Sequence, residues 1–142
     1  MRSILLVILL LGLLGSAIEL ILLGHYEEWQ QWIPLGLLGG AIALLTVYAA
    51  TRSPGVLRVF RWLAVGFVIA GFVGIYFHYR GNVEFEREMY PQMKGLELIW
   101  EALRGATPAL APGTMVQLGL VALAYLYGHP RLTRTAQGET TG

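Results

Sequence analysis

The chain has no cysteine, no aspartate and a single lysine. Without cysteine there are no disulfides, no thiolate metal sites and no cysteine nucleophile, and the redox compartment leaves no trace in the sequence. All nine acids are glutamates and every basic residue except Lys94 is arginine, the bias expected of a GC-rich bacterial genome. Charged residues make up only 13% of the chain and balance to a formal net charge of +1, too little for the basic face that nucleic acid requires. Also missing are a glycine-rich phosphate loop, a nucleophile elbow, a catalytic triad and any HExxH, HxxxH or Glu-x-x-His pair. Hydrolytic chemistry therefore has no residue to carry it.

Apolar residues are what the chain has in excess. They form 56% of 142 residues, more than a soluble domain of this size can hide. The expected solvent is lipid and the expected fold class is all-α: a polytopic membrane protein, a four-transmembrane-helix bundle, with one membrane domain over residues 1–131. Ile4 to Gly24 is apolar apart from Ser16 and Glu19, and its helical rise of about 31 Å crosses the ~30 Å hydrocarbon core. A signal peptide competes for this segment, with Arg2 ahead of it and Gly15-Ser16-Ala17 resembling a cleavage site; the apolar run on to Leu23 favours a span. The second span is predicted over residues 33–50, with Pro34 tolerated in its first turn, and the short polar link makes a hairpin of spans one and two.

The third span is predicted over residues 59–79, capped by Gly81. A long helical connection then covers about residues 80–111, with Asn82 as an N-cap, a stop at Pro91 and a second short helix from Leu96 to Leu103. That helix has Leu96, Ile99, Trp100 and Leu103 on one face and Glu97, Glu101 and Arg104 opposite, which suits a helix in the membrane interface or one folded back on the bundle. The fourth span is predicted over residues 112–128, starting earlier, near Pro108, if more length is needed, and residues 132–142 read as a disordered cytoplasmic tail. Four spans put Arg2, Arg52, Arg58, Arg61, Arg131 and Arg134 on one side and most glutamates on the other. The positive-inside rule then makes both termini cytoplasmic, in what is expected to be a bacterial cytoplasmic membrane, with His25, His78 and the long loop outside.

Helices in lipid associate through small residues and shared polar contacts. Gly12, Gly15, Gly36, Gly40, Gly71 and Gly74 are the expected packing positions, within the chain rather than between chains. Gly12-x-x-Gly15-x-x-x-Glu19 and Gly71-x-x-Gly74-x-x-x-His78 share one spacing, which puts each polar group on its glycine face and predicts a Glu19–His78 contact across spans one and three. Glu19, His25, Glu28, His78 and Glu84 form the candidate polar cluster. No cofactor is required, but His25, His78 and Glu28 are the donor types for a divalent metal, and a histidine for haem. Two functional readings follow. The favoured one is a non-catalytic membrane component or assembly subunit, whose partners are the bilayer and another membrane protein or a second copy; the alternative is a metal- or haem-binding or proton-relaying protein using the polar cluster. His129 reads as an ordinary boundary residue.

Overall fold

The computed structural model describes residues 1–105 and 111–133. Its elements are all helical: α1 (Arg2–Leu22), a 3-10 turn (Trp29–Gln31), α2 (Trp32–Thr51), α3 (Pro54–Met89), α4 (Gly95–Arg104) and α5 (Gly113–Leu126). Three stretches, α1, α2 with its preceding 3-10 turn, and α3, are long and apolar enough to cross a membrane.

Local chemistry accounts for the boundaries. α1 ends one turn after Glu19 because Gly24 takes φ +65, a left-handed conformation that side chains resist. The His25 N–H then donates to the Leu20 carbonyl (2.9 Å) and the Gly24 N–H to that of Ile21 (3.1 Å), the paired bonds of a Schellman stop. Pro54 opens α3, with Ser53 extended at the N-cap, and the missing N–H costs nothing there.

The predicted break at Gly81 is not made. α3 runs on through it for 36 residues in all, about 54 Å of helix. One interior glycine costs only ~1 kcal/mol, and the flanking sequence is rich in helix formers, with Arg80 bound to Glu84 one turn on (3.0 Å). Asn82 is accordingly not an N-cap. It is buried, and its Nδ2 donates to the Ala102 carbonyl of α4 (2.9 Å). The overshoot of α3 thus becomes a post on which α4 is hung, through buried Leu98 and Ala102. The Leu96, Ile99, Trp100 and Leu103 face stays exposed.

α5 has 14 residues, about 21 Å of helix, which is shorter than the hydrocarbon core. The proposed earlier start near Pro108 lies outside the described residues. So does most of the predicted tail: Leu132 and Thr133 are helical, and residues 134–142 are outside.

Packing pairs link α1 to α2, α2 to α3, α3 to α5 and α5 back to α1, a closed ring with α1 and α3 at opposite corners. Its core holds Leu9 and Leu13, Leu38 and Leu45, Phe60 and Phe67, and Leu118 and Leu126. The closest approach is α3 on α5. A Cβ on Gly71 would lie 2.8 Å from the Val116 backbone nitrogen and 3.0 Å from the Pro112 carbonyl oxygen, and one on Gly119 would lie 2.7 Å from the Ala64 oxygen. Gly12 and Gly74 also face α5, against Leu118 and Pro112. A Cβ on Gly40 would make ordinary contact with Leu63 (3.7 Å), whereas one on Gly15 or Gly36, both expected packing positions, would meet nothing within 4 Å among the described residues. Gly12 of span one and Gly71 and Gly74 of span three therefore meet α5 or the residue before it, rather than each other.

Ala at Gly71 or Gly119 forces the two backbones apart, and each is expected to cost ~1–3 kcal/mol in reversible detergent unfolding. Gly36→Ala, with open space beside it, is expected to be neutral or to gain up to ~1 kcal/mol of helix propensity. Equal losses at all three positions would contradict the assignment of the seam.

Candidate functional sites at the two ends

Glutamates keep to one end of the helices, with Arg80, Arg87, Lys94 and Arg104 among them, while the charged side chains at the other end are, among the described residues, all arginines. Arg2 lies at the start of α1, Arg52 at the end of α2, Arg58 and Arg61 in the first turns of α3, and Arg131 beyond α5. Their contacts tie them to one end: Arg2 donates to the Tyr127 (3.2 Å) and Gly128 carbonyls, and Arg131 to the Arg52 carbonyl (3.0 Å). Those guanidiniums sit on the C-terminal carbonyls of α5 and α2, where the helix dipole favours a cation. Every glutamate among the described residues lies toward the other end.

At the glutamate end, the five residues of the expected polar cluster do not share one contact. Glu19 is exposed in the last turn of α1 and forms no ion pair with His78. The predicted pairing fails because α1 and α3 stand at opposite corners and α1 stops early, leaving the Glu19 carboxylate close to the boundary that a long side chain can reach. Glu28 is exposed and caps the 3-10 turn in a reciprocal pair with Gln31. Glu84 is spent on Arg80. His25 and His78 are within electrostatic reach of each other. The Schellman turn swings His25 off the helix path, and its pKa is lowered by burial first and by the nearby His78 second. His78 Nδ1 is buried without a hydrogen-bond partner, and among the described residues no three potential metal-ligating side chains come together.

The arginine end holds an arrangement the sequence did not reveal. His129 is only 8% exposed. Its Nδ1 accepts from the Arg131 N–H (3.3 Å), so the neutral ring carries its proton on Nε2, which faces the Tyr48 hydroxyl (3.3 Å). Tyr48 and Tyr125 both meet the ring edge-on, at 5.8 and 5.7 Å between centroids, and Arg52 lies over Tyr48. The His129 pKa is lowered, chiefly by burial and then by the charges of Arg2 and Arg131. The cluster joins α2, α5 and the segment after α5, with Arg2 of α1 alongside. Tyr125 and His129 are four residues apart and could have been paired by spacing; Tyr48 could not, being 81 positions away. No family model matches the chain, and no curated protein or solved structure matches it either. Geometry alone must then carry the functional reading. The cluster at the arginine end joins α2, α5 and the segment after α5 through a neutral imidazole.

A depressed His129 pKa has a definite sign. The unfolded chain takes up its proton near the ordinary 6.5 and the folded protein only at lower pH, so stability is complete above that value and declines as pH falls below it. Thermal unfolding in detergent between about pH 7.5 and 5 should show the decline, reduced in His129→Gln. His25, shifted the same way, keeps part of the slope in that variant. Tyr48→Phe should cost ~1–3 kcal/mol at neutral pH by leaving the Nε2 proton without an acceptor.

Proposed function

We propose that this protein is a non-catalytic membrane component that assembles with a partner membrane protein, crossing the bilayer four times with both termini cytoplasmic. The observation that carries the reading is the outer face of α2. Gly36, Gly39, Ala43, Thr46 and Ala50 are all exposed and fall within about 80° of one another at ~100° per residue. Among the described residues, a Cβ on Gly36 or Gly39 would meet nothing within 4 Å outside its own helix backbone and chain neighbours. A smooth seam of this kind lets another helix approach closely, which is how helices associate where lipid removes the hydrophobic drive.

α5 serves as the fourth passage in this reading. Ala111, Pro112, Tyr127 and Gly128 turn in and out of it, and its burial between α1 and α3 supplies the protein surroundings that a short span needs. The arginine end then faces the cytoplasm, and α4 with the end of α3 stands outside. An impermeant maleimide is expected to label Glu86→Cys in intact cells from outside; labelling only after the cytoplasmic side is opened would reverse the topology. A photo-cross-linker placed at Ala43 in native membranes is expected to give a discrete heavier adduct that Gly39→Leu abolishes. Adducts with lipid alone would overturn the assembly reading.

A second reading draws on the His78 Nδ1, buried with no hydrogen-bond partner among the described residues, within electrostatic reach of His25: binding of a divalent metal or haem, or proton relay, at the glutamate end. Stoichiometric metal or a Soret band in the purified protein would establish it, and a colourless, metal-free protein held to a partner would favour assembly.

A further inference from the structure

α3 carries its own ruler for the bilayer. Arg58, Arg61, Trp62, Ile69, Tyr76 and Arg80 are all exposed, and at ~100° per residue they fall within one strip about 100° wide. Arg61 and Arg80 are 19 positions apart, a rise of about 28 Å that matches the ~30 Å hydrocarbon core. Trp62 and Tyr76 stand just inside those limits, where interfacial aromatics belong. The two charged limits differ in one respect. Arg80 is neutralised by Glu84 at 3.0 Å, whereas Arg58 and Arg61 make no ion pair and share their end with no glutamate among the described residues.

We propose that Arg58, Arg61 and Trp62 form a binding site for the phosphate headgroup of an anionic phospholipid in the leaflet at the arginine end. Two guanidiniums one helical turn apart offer several N–H donors to one phosphodiester, in the fork geometry that suits it. Trp62, 75% exposed, lays its indole along the glycerol and upper acyl region of the same lipid. Arg2 and Arg131 are already bound to backbone carbonyls and act through their charge, enriching anionic lipid around the site. The occupant is a lipid rather than a free phosphate because the strip below the two arginines is apolar and faces outward, so only a molecule with acyl chains fills both parts. The inference rests on α3 crossing a bilayer and is independent of assembly through α2.

The test is the thermal unfolding midpoint of the full chain in neutral detergent micelles doped with phosphatidylglycerol or phosphatidylcholine. Phosphatidylglycerol should raise the midpoint saturably and phosphatidylcholine should not. The combined Arg58→Gln and Arg61→Gln variant should respond with at least tenfold weaker apparent affinity, and Arg80→Gln should respond as the unaltered protein does. If the double variant does not fold, quenching of Trp62 in the unaltered protein, isolated by difference from Trp62→Phe, decides: brominated phosphatidylglycerol should quench it more than brominated phosphatidylcholine. Equal responses to the two lipids, an undiminished response in the double variant, or a midpoint shift reproduced by inorganic phosphate alone would overturn the proposal.

Discussion

Backbone contact between α3 and α5 is the constraint on which the rest of the structure depends. Gly71 lets the start of α5 lie on α3, and Gly119 lets α3 lie on α5 two turns further along. In water such contacts would be minor beside apolar burial; in lipid, where tails replace side chains as neighbours at no loss, close packing is a main source of attraction. Once α5 is seated there it also meets Gly12 of α1 through Leu118, and the ring closes. α1 and α3 are then kept apart by α5, which removes any direct meeting of their polar residues.

Closure of the ring leaves two unlike ends. At one, helix C-termini are capped by arginine side chains, and a neutral histidine is buried between two tyrosines. Burying an imidazole is costly only if it is charged or unbonded, and here both nitrogens have partners. At the other end α3 runs on past its apolar stretch and holds α4 through Asn82 and the buried Leu98 and Ala102. The glutamates gather there, most of them exposed, and outnumber the basic residues Arg80, Arg87, Lys94 and Arg104 beside them, so the two ends carry opposite net charge.

The surface that remains is apolar where lipid would lie and smooth on α2, where a helix would. Exposed Leu11, Ile18, Ile69 and Phe72 would be an aggregation liability in water; facing acyl chains they need no cover. α4 has a different surplus. Its Leu98 and Ala102 bury against α3 while Leu96 and Trp100 stay open, at 84% and 59% exposure, which leaves an apolar face beside the glutamate end.

Much of the fold is legible in the residues themselves. Apolar runs of about 20 residues between charged boundaries mark α1, α2 and the apolar part of α3, each long and apolar enough to cross a membrane, where the backbone must satisfy its hydrogen bonds within the helix. Arg2, Arg52 and Arg131, which a four-span count puts on one side, are joined at one end by their contacts. Of the glycines picked out by spacing, Gly12, Gly71 and Gly74 lie against α5 or the residue before it, while Gly15 and Gly36 face open space among the described residues, since spacing locates a face on a helix but not what stands opposite it. The partner was decided by tertiary structure: the order of helices around the ring placed α5 between α1 and α3, separated Glu19 from His78, and brought Tyr48 to His129. Asn82 makes the same point. Its neighbours suggest a cap, yet only the docking of α4 twenty residues later gives its amide a carbonyl to bind, and a helix end in a chain is settled by such contacts as much as by one glycine.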